Sequence, residues 1–492
     1  MDEVEDLEGY RPGGFAPVTI GDTLAGRFEI IYKLGFGGIA MVWLCWELAT
    51  EKWWAVKINA ASHSSETCGD LKAIRLMKQN GVDQKQLEAN HITMARETFW
   101  EETPNGRHLC TVLPVLGPRA YDWRTEELGL DTERVRNVCY QITKGLHFVH
   151  SNGLVHGDFR PQNVLMKLKP GSLDNITRND MWGLLGEPVV ADLWTKSGNR
   201  SRHAPTSVVT SAPWEAFRDF VTDEVAIVDF GEAYIPSNPP RHFGIPHKYA
   251  APEVLFERGR TGLAGDIWSL GITLLELRLD DYGYDALISV IRNMERFVGP
   301  IPIGYRYAAR KLLDDDGWEV DINDRSPLKP LTGPVEIPLD RKEEKEFCSA
   351  NFSDRLEMKL ASEQWAKGEE PDPRDPSGKA IRSGLIRYYL PDEEVRDLAD
   401  LLHKMLRYDA NTRISTSQVL RHRWFKKQRA GNPMKRWKLF LTVFRFSLFF
   451  ICLAWVWIAA PLSYMRRNQN TRPEAAHWAE RCAITIVYLS MQ

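Results

Sequence analysis

The chain lacks the marks of a disulfide framework or a thiolate metal site. Its seven cysteines, Cys45, Cys68, Cys110, Cys139, Cys348, Cys452 and Cys482, are odd in number, scattered, and form no CxxC pair. A reducing compartment is the simplest setting for such a set. A dominant charge is missing too: 63 basic and 66 acidic residues leave a formal −3. That balance gives no whole-molecule attraction to nucleic acid, and direct nucleic-acid binding is not expected. No apolar run follows the acidic start MDEVEDLEGY, so no secretory signal is read there. The composition, 43% hydrophobic and 26% charged over 492 residues, is that of a globular protein with room for several compact units or one large two-lobed one.

The most informative stretch is HGDFRPQN, His156 to Asn163. Apolar residues at three- and four-residue steps from Thr132 to Val149 predict a helix leading into it, with Gly153 as the stop. The loop offers a carboxylate at Asp158, a fixed cation at Arg160 and a carboxamide at Asn163. Phosphoryl transfer needs one group to orient an acceptor hydroxyl, one to face phosphate charge and one to bind a metal. Singly, each is an ordinary polar turn residue; the spacing H-x-D-x-x-x-x-N is what carries the signal. Upstream, the strand candidate Phe28 to Leu34 runs into Gly35, Phe36, Gly37, Gly38, Ile39, Ala40, Met41 and Val42. Such a turn lets backbone N–H groups approach phosphates unobstructed, although Ala40 stands where G-x-G-x-x-G-x-V has its third glycine. Lys57 is then a lone cation in the apolar run WWAVKI, and Asp229 ends the strand-like run EVAIV ahead of Phe230 and Gly231. An acid there can face a bound metal across a cleft from Asn163.

Residues 1–25 are acidic and then Gly/Pro-bearing, and read as a low-order extension. Asp229 follows Asn163 by 66 residues, so residues 168–222, with an apolar helix candidate at MWGLLGE and a Ser/Thr/Asn/Pro-rich run, read as a partly ordered surface insertion. The apolar run Asp266 to Leu277 predicts a buried helix opened by an acid, and Leu398, Leu401, Leu402, Met405 and Leu406 predict another helical face. Residues 314–380, rich in charge, proline and glycine, read as solvated loops, with docking of a basic substrate on the acidic run as the alternative. A basic linker, 429–445, precedes residues 446–465, twenty positions without a charge, and a short tail, 466–492. Twenty such residues can span a bilayer, with more cations upstream than downstream, which predicts a C-terminal transmembrane helix and a cytosol-facing protein. A buried core helix and a mispredicted gene end are the competing readings of that segment.

With these motifs the chain resembles the eukaryotic protein kinases over roughly residues 26–428, and among them it is most similar to the SR-protein kinases in the divergent form found in fungi. KLGFGGIAMVWLCWE, GRHLCTVLPVLGP, HGDFRPQNVL, MWGLLGEP and VDFGEAY carry the likeness. The resemblance implies an α+β, two-lobed kinase fold, with a mostly β small lobe over residues 26–117 and a mostly α large lobe over 118–428. It implies ATP and Mg2+, with Gly35, Gly37, Ala40, Val42 and Lys57 on the nucleotide, Asn163 and Asp229 on the metal, and Asp158 and Arg160 at the reacting centre. Lys57 would pair with an acid on the next helix, Asp70 or alternatively Glu66. Adenine would meet the carbonyl of Pro114 and the amide of Leu116, behind which Leu113 lies. Glu253 would pair with Arg413, and Asp266 would brace the catalytic loop. Gly157, beside His156, and Ile245 depart from the kinase pattern, as do Ala40, Asp70 and Arg160. The missing arginine at Gly157 removes the usual clamp for an activation-segment phosphate and implies constitutive activity or another gate. The implied function is a serine/threonine kinase acting, as a monomer, on Arg/Ser-rich proteins of mRNA splicing. A catalytically silent membrane scaffold and a small-molecule kinase with an HGD loop are the alternatives, and cytoplasm and nucleus are the alternative location if the anchor is not genuine.

Overall fold

Between Thr23 and Leu113 the chain builds one antiparallel sheet. Strands β1 (Thr23–Leu24), β2 (Phe28–Phe36), β3 (Ala40–Glu47) and β4 (Lys52–Asn59) are followed by helices α1 (Gly69–Gln79) and α2 (Gln84–Ala89), then by β5 (Glu97–Thr103) and β6 (Gly106–Leu113). The sheet order is β1-β2-β3-β4-β6-β5. In this computed structural model the described residues are 4–124, 131–257, 261–279, 287–317, 320–321, 352–362, 364–371 and 381–426.

Successive side chains of a strand point to opposite faces, and here both faces are buried. Phe28, Ile30, Met41, Trp43, Val56 and Ile58 form one apolar cluster, whereas Ile31, Leu44 and Trp53 join another. Lys57 lies between Val56 and Ile58 and so points away from the first cluster, toward the cleft.

The first cluster is closed by the N-terminal segment, which corrects the expectation of low order over its described residues, 4–25. Tyr10, Phe15, Ala16 and Val18 are buried in it. The Lys33 ammonium, wholly buried on β2, is held by Glu5, which also accepts the Tyr10 hydroxyl. Gly13 N donates to Asn105 O at 2.7 Å, and Asn105 Nδ2 returns a bond to Phe15 O at 2.6 Å. No periodicity marks this segment, because its order comes from tertiary partners.

The large lobe follows. Helix α3 (Ala120–Trp123) leads to α4 (Thr132–Ser151), where Asp131 caps the first turn by accepting from Glu133 N and Arg134 N. After the His156–Asn163 loop, β7 (Val164–Leu168) pairs with the later β10 (Val221–Ile227), and the insertion lies between them as α5 (Arg178–Leu185) and a hairpin of β8 (Val190–Asp192) and β9 (Ser207–Val209). The insertion is ordered and reaches the small lobe. Met181, Leu185 and Phe217 pack on Ile31, Tyr32, Leu44 and Trp53. The Trp53 indole donates to Ile176 O at 2.7 Å, and Ala212 N donates to Lys33 O at 2.7 Å. Arg178 pairs with Glu29, and Asn105 Nδ2 donates to His203 O at 2.7 Å.

Helices α6 (Pro252–Glu257) and α7 (Leu263–Leu279) come next. Nearly every residue of α7 is buried, as an all-round apolar sequence requires. Arg413 meets Glu253 in a bidentate pair at 2.7 Å in each arm, both side chains buried. Part of the stretch expected to be solvated loop is regular: a helix at Phe352–Ala361, with Leu356 and Leu360 buried, precedes a strand, Gln364–Pro371, paired with Ile381–Tyr388. The basic linker, the uncharged segment 446–465 and the tail lie outside the described residues. Among the described residues no helix is long and apolar enough to cross a membrane.

Candidate active site

The glycine-rich turn joins β2 to β3 with Gly35 opposite Val42 and Phe36 opposite Met41, and Gly37 N donates to Ala40 O at 2.8 Å. A Cβ added at Gly35, Gly37 or Gly38 would meet nothing within 4 Å. Protein packing therefore does not account for these glycines, and the open space suits a phosphate chain approaching the backbone. Val42 stands opposite Lys57 on β4, and Lys57 opposite Thr111 on β6.

Lys57 lies between two acids, 2.7 Å from Asp229 Oδ1 and 3.4 Å from Asp70 Oδ2. Glu66, the other candidate partner, is paired instead with Arg75 at 3.0 Å. Burial works against charge on Lys57, yet Asp229 and then Asp70 outweigh it and hold the ammonium above its ordinary pKa. Burial likewise opposes the charged form of Asp229, but the Lys57 cation beside it keeps the carboxyl below the usual range. Asp229 has a φ of 64°, a left-handed conformation rare outside glycine. Strain of this sort gathers at active sites, ligand clamps and switch regions.

The second half of the site comes from the loop between α4 and β7. Asp158 Oδ2 accepts from Arg160 Nε at 3.0 Å and from Asn163 Nδ2 at 2.9 Å. Its other oxygen, Oδ1, is buried and has no hydrogen-bond partner among the described residues. Burial raises the Asp158 pKa above the ordinary aspartate value, against the opposing pull of Arg160, His156 and Asn163. Asn163 O accepts from Val228 N at 3.0 Å, which sets the loop beside Asp229. Asp266, at the start of α7, accepts from His156 N at 2.8 Å, Gly157 N at 3.1 Å and His150 Nε2 at 2.9 Å. Gly157 has a φ of 79°, and a Cβ there would lie 2.4 Å from Glu232 O. Close approach of the loop to the segment after Gly231 explains why a side chain is missing at this position.

Pro114 and Leu116 sit half-buried in the connection leaving β6, which is tied to the large lobe by Gly117 N donating to Met166 O at 2.8 Å. Behind Lys57 a small cavity is lined by Ile74, Met94, Thr111, Leu113 and Phe230. Thr111 was not singled out in the sequence; its place two residues before Leu113 on the same strand face is the signal that could have found it. Among the described residues no three His, Cys, Asp or Glu side chains converge on a metal position by themselves. One carboxylate and one carboxamide nevertheless suit Mg2+, which keeps several waters and shares its remaining positions with phosphate oxygens.

Residues 28–177 match the family model described as "Protein kinase domain". Over these residues the chain is similar to protein kinase domains, and the relatives it matches include SRSF protein kinases. It is similar to SRSF protein kinase 3 of Homo sapiens, 32% identical over 170 residues, which is 34% of this chain and 30% of that one. Protein kinase dsk1 of Schizosaccharomyces pombe is 33% identical over 181 residues, 35% of this chain and 32% of the relative. Serine/threonine-protein kinase AFC1 of Arabidopsis thaliana is 24% identical over 423 residues, 83% of this chain and 73% of that one. The chain thus spans about a third of the length of the first two relatives. The two groups of side chains around Lys57 and Asp158 are joined through Asp229, which pairs with Lys57 and whose neighbour Val228 donates to Asn163 O.

Proposed function

We propose that this kinase domain transfers the γ-phosphoryl group of ATP to serine, or threonine, in protein substrates, and that Arg/Ser-rich segments are the preferred acceptors. The observation that carries the reading is the buried, unpartnered Oδ1 of Asp158, beside Arg160 and Asn163 and across the cleft from the Lys57–Asp229 pair. A buried acceptor atom without a donor is costly unless a ligand supplies one. An acceptor hydroxyl supplies it: Oδ1 accepts that hydrogen bond, aligns the oxygen for attack and takes the proton as the bond to phosphorus forms. Lys57 holds the α/β phosphates over the glycine turn, and Arg160 faces the charge of the transferred group. Asn163 and Asp229 are the residues that would hold Mg2+, which when bound neutralises phosphate charge. The preference for Arg/Ser segments rests on the relatives' names and on the motifs shared with them.

The test is transfer of labelled γ-phosphate to an Arg-Ser repeat peptide and to its Lys-Ser counterpart, with Asp158→Ala and Asp229→Ala as controls. Transfer favouring Arg-Ser and lost in both controls is the expected result. Nucleotide binding without transfer to either peptide would instead indicate a scaffold. For residues 446–465 we propose a single membrane span, on the length and lack of charge of the segment alone; extraction of the full chain by alkaline carbonate would count against it.

A further inference from the structure

Asp70 is a short acid for the distance it has to cover. It is the second residue of α1, and its single methylene must bring a carboxylate to an ammonium on the neighbouring sheet. The helix can serve only by standing close, and what sets its closeness is the residue before it. An ideal Cβ on Gly69 would lie 2.1 Å from Gly231 O and 2.5 Å from Phe230 O. The start of α1 therefore rests backbone against backbone on the Phe230–Gly231 segment. Helix propensity argues for alanine over glycine at such a position, so the glycine needs a packing reason. Gly231, across the contact, is also bare: its Cβ would sit 3.2 Å from Asp229 Oδ1, 3.7 Å from Asp70 Oδ2 and 3.8 Å from Lys57 Nζ. Two absent side chains thus open the space in which Lys57 meets both acids.

We infer that Gly69 is a positioning residue for phosphoryl transfer: by letting α1 seat directly on the backbone of Phe230 and Gly231, it brings the short Asp70 within reach of Lys57. The same contact makes the placement of α1 and the orientation of Asp229 one coupled unit, since the segment that aims Asp229 is the surface on which the helix stands. The catalytic part of this inference rests on the kinase reading above; the geometric part does not.

Gly69→Ala forces the helix start back by roughly 1 Å before the contact becomes tolerable. Asp70→Glu adds one C–C bond, about 1.5 Å of reach. The two changes should therefore compensate, and the preferred acid should invert with the background: Asp where Gly69 is kept, Glu where G69A has been made. The experiment uses the full chain and two readouts. In steady-state transfer to an Arg-Ser peptide, G69A should lower kcat on the order of 100-fold, the scale of a misplacement near 1 Å, while the peptide KM stays within about twofold. The double variant G69A/D70E should recover at least about tenfold, and D70E alone should fall below wild type. In parallel, acylation of Lys57 by an amine-reactive reagent, read by mass spectrometry against the exposed Lys72 of the same helix, should rise several-fold in G69A and return in the double variant.

The inference is overturned if G69A leaves kcat and Lys57 labelling within twofold, or if D70E fails to restore either in the G69A background. D70E equal to or better than wild type also overturns it, and that variant leaves the backbone contact untouched should G69A fold poorly. If the wild-type chain transfers no phosphate, the kinase reading fails while the labelling series still decides the role of Gly69.

Discussion

Met181 is where the union of insertion and small lobe can be measured. It sits on α5, fully buried, among Ile31, Tyr32, Leu44, Trp53, Leu185 and Phe217. Truncation to alanine removes three heavy atoms from a packed site, and Met→Ala at such positions costs about 2–5 kcal/mol. Alanine is a good helix former, so the backbone of α5 adds no penalty. A cost near 3 kcal/mol would raise the population in which the insertion has lifted from the sheet roughly 100-fold. A two-lobed chain need not unfold in one step, so the assay is native-state proteolysis, whose rate follows the open population when reclosing is fast. Cleavage within residues 195–205 should accelerate in Met181→Ala, and the first urea transition should move to lower concentration. Val190→Ala, on the exposed strand β8, is the control and should change neither. A Met181→Ala cost under about 0.5 kcal/mol, the range of surface substitutions, would refute the packing argument.

Other outcomes follow from the ion pairs and the titrating groups. Arg413→Ala leaves Glu253 buried without its cation and should destabilise the large lobe by about 3–5 kcal/mol, read from chemical denaturation. Burial, then Lys167 and Lys144, lower the His91 pKa from 6.5 to about 4. The unfolded chain therefore takes up that proton first: stability should be unaffected above pH 6.5, fall as pH drops through the window from 6.5 to about 4, and level off below it. His91→Gln should reduce the loss of Tm between pH 7 and pH 5. Because burial raises the Asp158 pKa and Arg160 pulls it back, Arg160→Gln should shift the acid limb of the kcat/KM profile to higher pH. A limb that moves down or stays put would contradict that assignment.

The His156–Asn163 loop and Asp229 stood out as candidates because their chemistry is local: eight consecutive residues hold the acid, the cation and the carboxamide. Helices α4 and α7 were legible from apolar spacing, and β2 and β4 from apolar runs. The N-terminal segment was not, since its order depends on Glu5 meeting Lys33 and Tyr10 and on Asn105 bonding Phe15 O, and none of these pairs leaves a pattern along the chain. The insertion misled for a related reason. Its polar residues face water, while Met181, Leu185 and Phe217, spread over 37 positions, together make one apolar face. Gly157 and Gly69 could be seen as departures or passed over in sequence; only the carbonyls of Glu232 and Gly231 give each its reason.

The route of the insertion also bears on how the cleft can move. The chain crosses from small lobe to large lobe once after β6, crosses back after β7 to lay α5 and the β8–β9 hairpin against the sheet, and returns at β10. A single covalent link between two bodies permits both bending and torsion. Three crossings, two of them anchored by a buried apolar seam, resist torsion far more than bending. Bending about the connection after β6 is then the freer relative movement of the two lobes, and twisting of one against the other the stiffer one.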